Sequence, residues 1–176
     1  MARLYISLGS NVDRQHYLNT GLTALELLLG ELTLSSLFAS ESVGFDGAEF
    51  YNMVIGATTE LNIEQVTKAL RDIEFTNGRP IDAKKYSPRT LDLDLLLFDD
   101  LVLNTPAQIP RAEITENAFV LWPLAEVAPQ LKHPILLQSY QQLWQAYDKN
   151  QQALTKVKFS WQSQLEKPAT KKLNYK

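Results

Sequence analysis

Residues 89–98, with the sequence RTLDLDLLLF, alternate between apolar and polar side chains over most of their length. Such alternation predicts a β-strand, because successive side chains of a strand point to opposite faces of its sheet. The polar face carries Thr90, Asp92 and Asp94, and the apolar face needs a hydrophobic core to cover it. We expect that apolar face to consist of Leu91, Leu93, Leu95 and Leu97.

The order of the predicted elements restricts the fold further. Apolar periodicity predicts strand, helix, strand, strand, helix and strand, followed by two more helices and a last strand. This is the order of the ferredoxin-like split βαβ unit, an α+β fold with an antiparallel sheet and helices packed on one face. The other face is then free for a ligand. The predicted strands cover residues 4–8, 32–40, 50–59, 89–98 and 157–161, and the predicted helices cover residues 14–29, 63–77, 115–127 and 139–148.

Composition excludes several classes of protein. A net charge of -3 argues against a general nucleic-acid binder, which needs a broad basic face. The chain has no cysteine and two histidines, which leaves no disulfide framework and no His-rich or Cys-rich zinc site. No apolar run reaches the roughly 18 residues of a membrane span, and no signal peptide is recognisable. We therefore expect a cytoplasmic protein with no nucleic-acid or membrane partner. We also expect a monomer, although no feature of the sequence indicates the oligomeric state.

The length of 176 residues suits one globular domain, which we place at residues 1–161. Residues 162–176 carry four lysines and one glutamate. A segment with this charge and so few apolar residues lacks the means to build a core. We expect residues 162–176 to form a basic, disordered tail.

The two aspartates of the predicted strand at residues 89–98 indicate a metal site. Their Cα atoms are expected to lie about 6.7 Å apart on one face of the strand. Two carboxylates at this spacing repel each other by about 2 to 3 kcal/mol at an effective dielectric constant of about 20. Mg²⁺ would relieve the repulsion, since it binds one or two carboxylates together with phosphate oxygens and water. The alternative is a strand with a solvated acidic face, which is the more common meaning of an isolated Asp-x-Asp.

A basic segment precedes these aspartates. Residues 79–89 contain Arg79, Lys84, Lys85 and Arg89 against the single carboxylate of Asp82. Cations beside a metal-binding carboxylate pair are typical of sites that bind polyphosphate. A solvated basic loop is the alternative, and the sequence contains neither a G-x-x-x-x-G-K-[ST] phosphate loop nor a G-x-G-x-x-G motif.

Several short motifs, taken together, are similar to those of one enzyme family. They occur in family order over about the first 130 residues, and the segment PRTLDLDLLLF is the most specific of them. The chain resembles the 6-hydroxymethyl-7,8-dihydropterin pyrophosphokinase family of folate synthesis. The matching segments are YISLGSN at residues 5–11, SESVG at 40–44, FYN at 50–52, Glu74, Gly78-Arg79, PRTLDLDLLLF at 88–98 and FVLWPLAEVAP at 119–129.

The resemblance implies a ferredoxin-like fold and transfer of pyrophosphate from ATP to the pterin hydroxymethyl group, with release of AMP. It implies that Asp92 and Asp94 hold two Mg²⁺ ions and that Arg79 and Arg89 act with them in catalysis. The ATP-binding residues it implies are Glu74, Arg79, Lys85, Arg89, Leu95 and Arg111. The pterin-binding residues it implies are Ser40, Val43, Phe50, Asn52, Tyr86 and Phe119.

Departures from the family pattern are concentrated on the nucleotide side. Tyr86-Ser87 stands in place of Trp-Gly, and Ile81 and Asn117 stand where the family often has arginine. Arg111-Ala112 replaces a pair such as His-Tyr after Pro110. These departures leave two alternatives open: a degenerate relative that binds a pterin or a partner without turnover, and a regulatory ferredoxin-like domain that binds neither ligand.

Overall fold

The computed structural model describes residues 1–42, 44, 46–80, 82, 84 and 88–165. In this part of the chain, no helix is long and apolar enough to cross a lipid bilayer. The strands are β1 (Ala2–Ser10), β2 (Thr33–Leu34), β3 (Leu37–Ser40), β4 (Phe50–Thr59), β5 (Asp92–Phe98) and β6 (Thr155–Val157). The helices are α1 (Arg14–Leu29), α2 (Ile63–Thr76), α3 (Glu113–Glu116), α4 (Ala118–Val127) and α5 (Tyr140–Ala146).

The strands form one antiparallel sheet in the order β5-β1-β4-β3-β6, and β2 also pairs with β4. The predicted α+β fold with an antiparallel sheet is confirmed. The predicted strand at residues 32–40 is two strands, β2 and β3, because Ser35 interrupts the regular pairing. Its hydroxyl accepts a hydrogen bond from the Val54 N–H at 2.9 Å, while its own N–H donates to the Val54 carbonyl at 3.0 Å.

One face of the sheet is covered by α1 and α2. Leu4, Ile6 and Leu8 of β1 lie on this face and have no exposed surface. Burying a side chain of this size stabilises the fold by about 1.5 to 3 kcal/mol. The buried apolar residues between this face and the two helices form what we call the first cluster. Its members from α1 and α2 include Leu18, Leu22, Leu25, Ile63, Val66 and Leu70.

The ends of α1 and α2 are formed differently. Asp13 precedes α1 with φ 42° and makes no side-chain capping bond, although aspartate is a common N-cap residue. Gly30 ends α1 at φ 79°, a left-handed value that glycine adopts without steric cost. At the start of α2, Asn62 and Gln65 form a reciprocal capping box, each side chain accepting the other residue's N–H at 2.9 Å.

A β-bulge in β5 places Leu97 on the opposite face from the one predicted. β1 pairs Ile6 with Leu95 but Tyr5 with Leu97, so Leu96 is an extra residue in the ladder. An extra residue reverses the alternation of faces along the rest of a strand. Leu96 and Leu97 accordingly pack with Tyr5 on the second face of the sheet.

The second face is partly covered by α3, α4 and α5, so the free face is smaller than the sequence suggested. Tyr5, Val54 and Leu97 pack there against the apolar residues of these helices, which form a second cluster. Asp92 and Asp94 lie in the part that stays open, with side chains 36% and 31% exposed. The sheet therefore has a core on both sides, and the two aspartates lie where the second face is not covered.

The predicted helix at residues 115–127 is two helices, α3 and α4, which are separated at Asn117. Asn117 has an extended backbone, with φ -117° and ψ 123°. Gln152 supports the break, because its Oε1 accepts the Ala118 N–H at 2.8 Å and its Nε2 donates to Asn117 Oδ1 at 2.9 Å. Thr115, at the start of the predicted helix, lies inside α3 and caps neither helix.

The C-terminal elements are shorter than predicted. The helix expected at residues 139–148 is α5, and Ser139 caps it by accepting the Gln142 N–H at 3.2 Å. The strand expected at residues 157–161 is wrong for all but its first residue, because β6 covers Thr155–Val157. Of the segment expected to form a tail, residues 162–165 are described, and the Ser163 hydroxyl donates to Glu26. The domain boundary at residue 161 stays a prediction, and residues 166–176 lie outside the described residues.

Two leucines of α1 provide a test of the first cluster. Leu22 is fully buried and Leu27 is 81% exposed. We expect Leu22→Ala to lower the free energy of unfolding by about 2 to 5 kcal/mol, because it leaves a cavity in the core. Leu27→Ala is the control and should change it by less than about 0.5 kcal/mol. Urea denaturation measures both values, and equal effects would contradict the packing described here.

Candidate active site

Asp92 and Asp94 project from the same face of β5. In the pairing of β5 with β1, Asp92 lies opposite Gly9 and Asp94 lies opposite Ser7. Leu93, between them, is 5% exposed and packs in the first cluster on the other face. The predicted side-by-side arrangement of the two carboxylates is therefore found in the structure.

Two arginines approach this pair of carboxylates. Arg79 NH1 lies 3.9 Å from Asp92 Oδ1, and Arg111 NH2 lies 3.2 Å from Asp94 Oδ1. Glu113 gives Arg111 a second partner, at 3.3 Å from its Nε. Sequence reasoning did not single out Glu113, whose one local signal is its place two residues after Arg111. Both aspartates keep exposed surface beside these ion pairs, so a cation or a phosphate group can reach them.

Glu74 lies at the base of the site and links three of its parts. It is 4% exposed, and its Oε1 accepts the Leu93 N–H at 2.8 Å. That N–H belongs to an edge strand, so Glu74 satisfies a donor that has no neighbouring strand to pair with. Its Oε2 accepts a hydrogen bond from Arg79. Glu74 thus positions both Arg79 and the strand segment between the two aspartates.

The two most buried carboxyls of the site hold their protons more strongly than usual. Burial raises the pKa of Asp94 to about 7, and the charge of Asp92 adds to this effect while Arg111 opposes it. Burial likewise raises the pKa of Glu74 to about 7, against the opposing hydrogen bond from Leu93. Perturbed carboxyls that lie close together are typical of functional sites.

Arg89 is anchored through its backbone and keeps one guanidinium nitrogen free. Its N–H donates to Asn11 Oδ1 at 2.8 Å, and its carbonyl accepts the Asn11 N–H at 3.0 Å. Its NH2 donates to the Lys84 carbonyl at 2.7 Å. Its NH1 is buried and has no hydrogen-bond partner among the described residues. Asn11, the last residue of the YISLGSN motif, is thus the residue that fixes the backbone of Arg89.

Ser40 and Asn52, two of the residues predicted to bind a pterin, are joined across two neighbouring strands. Asn52 Nδ2 donates to Ser40 Oγ at 3.0 Å, and both residues are buried. Gly9 faces this pair from β1, and a Cβ at its position would lie 2.8 Å from Asn52 Oδ1. Glycine at position 9 therefore leaves room for the Asn52 amide in its present orientation.

The other predicted site residues divide into three groups. Phe50 begins β4 opposite Ser40, and Phe119 lies half-buried on α4 against the second cluster. The side chain of Leu95 is not brought to the site, because it packs in the first cluster on the other face of the sheet. The predicted contributions of Val43, Lys85 and Tyr86, and the departure at Ile81, lie outside the described residues.

The donor set suits Mg²⁺ bound together with a phosphate ligand. No group of three or more potential ligand side chains occurs among the described residues. Mg²⁺ in phosphate-transfer sites typically takes one or two carboxylates and completes its shell with phosphate oxygens and water. Asp92 and Asp94 supply those carboxylates, and the unpaired Arg89 nitrogen is a ready donor to a phosphate oxygen.

The family model of 7,8-dihydro-6-hydroxymethylpterin-pyrophosphokinase (HPPK) matches residues 5–129. The chain belongs to the HPPK family. It is 33% identical over 138 residues to a 2-amino-4-hydroxy-6-hydroxymethyldihydropteridine pyrophosphokinase of Aquifex aeolicus, with 77% of this chain and 86% of that protein covered. It is 37% identical over 137 residues to the protein of the same name from Pseudomonas aeruginosa, with 75% and 84% covered.

Solved structures agree with this HPPK assignment at the level of the fold. A crystal structure of Plasmodium falciparum HPPK-DHPS matches with a TM-score of 0.66 and 16% identity, and covers 85% of this chain. The match spans 46% of that longer chain. The HPPK match at residues 5–129 includes the predicted site residues, from Ser40 to Phe119, while residues 130–176 lie beyond it.

The raised pKa values of Asp94 and Glu74 predict a pH-dependent stability. From about pH 4 to about pH 7 the folded state keeps protons that the unfolded state has released, so stability falls as the pH rises through this window. Asp94→Asn removes one such group. The fall in the free energy of unfolding between about pH 5 and about pH 7.5 should therefore be smaller by about 1 kcal/mol. The effect is no larger because the side chain is partly exposed and solvent screens its charge.

Urea unfolding at the two pH values measures this difference. Asp100→Asn is the control, since Asp100 is exposed in the turn that follows β5. An unchanged pH dependence in Asp94→Asn would contradict the raised pKa.

Proposed function

We propose that this protein transfers the pyrophosphoryl group of ATP to the hydroxymethyl group of 6-hydroxymethyl-7,8-dihydropterin. The observation that carries the proposal is the open carboxylate pair, Asp92 and Asp94, with Arg79 and Arg111 next to it. Membership of the HPPK family supports the same reaction. In this reaction the pterin hydroxyl oxygen forms a bond to the β-phosphorus of ATP. The bond from that phosphorus to the oxygen that bridges it to the α-phosphorus breaks. AMP leaves with the electron pair of this bond, and the hydroxyl proton is released.

Asp92 and Asp94 would hold Mg²⁺, which supplies charge neutralisation and alignment of phosphate oxygens in phosphoryl transfer. The two carboxylates are suited to this because they share one face and stay accessible to solvent. Glu74 keeps them at a fixed spacing through its bond to the Leu93 N–H. Catalysis requires that the groups which bind the metal be held rigidly in this way.

The arginines would stabilise the negative charge that develops on the phosphates. Arg79 is held by Glu74, and Arg89 is held by Asn11 with its NH1 unpaired, so both are positioned before a ligand arrives. Fixed cations of this kind lower the barrier without the cost of reorganisation. Arg111 would exchange its contact with Asp94 for a phosphate oxygen and keep Glu113 as its second partner.

Asn52 and Ser40 would recognise the polar edge of the pterin. An amide offers both donors and an acceptor, which suits a heterocycle that also carries both. Phe50 and Phe119 would provide apolar contact with the rings. We also keep the prediction that the enzyme is a cytoplasmic monomer.

An assay for AMP release with 6-hydroxymethyl-7,8-dihydropterin and MgATP tests the proposed reaction. We expect turnover by the wild-type protein and a loss of about 100-fold or more in Asp94→Asn, because the variant lacks a metal ligand. Asp100→Asn should keep full activity. No turnover at millimolar ATP would refute the proposal, and pterin binding without MgATP affinity would indicate a non-catalytic binding protein instead.

Gly9→Ala tests the pterin side separately. The added Cβ would collide with the Asn52 amide, so we expect the dissociation constant for the pterin to rise about tenfold while that for a nucleotide analogue changes less than about twofold. Gly56→Ala is the matched control. Its Cβ would meet the Tyr5 ring at 3.0 Å and lies away from Asn52. Calorimetry measures both ligands, and equal pterin affinity in the wild type and Gly9→Ala would contradict the role of Asn52.

A further inference from the structure

Glu26 is a buried carboxylate whose hydrogen-bond donors come from the C-terminal end of the described chain. It lies on α1 with 3% of its surface exposed. The Ser163 hydroxyl donates to its Oε1, and the Gln164 N–H donates to its Oε2 at 2.8 Å. No cationic side chain pairs with it among the described residues. A buried carboxylate is costly unless it is hydrogen-bonded, so these two bonds tie residues 163–164 to α1.

Residues 155–164, which we call the C-terminal strap, connect this bond to the edge of the sheet. The strap begins with β6, which pairs with β3. Val157, Phe159 and Trp161 then pack along the first cluster, and Trp161 Nε1 donates to Thr23 Oγ1 at 3.5 Å. The strap is thus attached at both ends, to the sheet edge and to α1.

A further ion pair fixes the β6 end of the strap. Lys156 Nζ lies 3.1 Å from Glu126 Oε1 and 5.3 Å from the centre of the Trp122 ring. Glu126 Oε2 also accepts the Ser36 N–H at 2.8 Å, just before β3 begins. Glu126 therefore holds the strap and the start of β3 together.

The strand under the strap carries a predicted pterin residue. β3 has four residues and ends at Ser40, which bonds Asn52. On its outer side, Leu37, Phe38 and Ala39 pair with the strap. Without the strap, β3 would be a short edge strand paired on one side only, and such strands open easily. The aspartates lie on β5 at the opposite edge, separated from β3 by β1 and β4.

We propose that the C-terminal strap positions β3, and with it Ser40, for pterin binding, and that the bonds of Ser163 and Gln164 to Glu26 hold it in place. This inference rests on the proposed function. Glu26 and the strap are positioning elements and do not touch the reacting atoms. Because the strap and β5 lie at opposite edges of the sheet, loss of the strap should weaken pterin binding selectively and leave nucleotide binding unchanged.

The double variant Ser163→Ala/Gln164→Pro removes both donors to Glu26 and changes no residue of α1 or of the sheet. Gln162→Ala, in the same exposed stretch, is the matched control. Hydrogen–deuterium exchange reports on residues 37–40 and 92–98, and calorimetry reports the affinities for 6-hydroxymethylpterin and for α,β-methylene-ATP with Mg²⁺. In the double variant we expect the exchange rate at residues 37–40 and the pterin dissociation constant each to rise about tenfold over the wild type. Exchange at residues 92–98 and the nucleotide dissociation constant should stay within about twofold of the wild-type values.

Each other outcome counts against the proposal. Unchanged exchange at residues 37–40, or an equal loss of pterin and nucleotide affinity, would overturn it. A double variant that does not fold would overturn it too, because the strap would then support the whole domain. If the wild type binds no pterin, the proposed function fails, while exchange at residues 37–40 still decides whether the strap holds β3.

Discussion

The pairing of β1 with both β4 and β5 is the constraint on which the rest of the structure depends. β1 contributes Leu4, Ile6 and Leu8 to the first cluster, so its register is fixed by burial on that face. A shift by one residue would move these three side chains to the second face of the sheet at a cost of several kcal/mol. The same register sets Ser7 and Gly9 opposite the two aspartates. The same register of β1 therefore determines both the packing of the core on one face of the sheet and the geometry of the site on the other.

The site retains charges that the fold alone would not favour. Asp94 and Glu74 are held in a place where burial raises their pKa values, and Arg79 and Arg111 offset this only in part. A core of apolar residues at these positions would be more stable near neutral pH. A divalent cation and a polyphosphate would complete the arrangement. The cation would offset the charges of the carboxylates, and the polyphosphate would offset the charges of the arginines. The unfavourable burial of these carboxyls is then a consequence of a site that is built to bind charged ligands.

The two edges of the sheet serve different parts of the site. β5, at one edge, carries the carboxylates, and its free N–H at Leu93 is satisfied by Glu74. β3, near the other edge, carries Ser40 and is covered by β6. A glutamate from a helix contacts the chain near each of these strands: Glu74 accepts the Leu93 N–H of β5, and Glu126 accepts the Ser36 N–H just before β3. Protection of sheet edges and support of the ligand face are combined in the same contacts.

The sequence by itself determined the order of the elements and the shared face of Asp92 and Asp94, because alternation and helical periodicity are local properties of the chain. The motifs were enough to predict the family. Local patterns do not contain the bulge at Leu96, the helix break at Asn117 or the partners of Arg111. The bulge depends on pairing with β1, and the break depends on Gln152, 35 residues away. Tertiary structure also decided that helices cover both faces and that Glu26 binds the C-terminal strap, since contacts between distant segments follow from packing and not from periodicity.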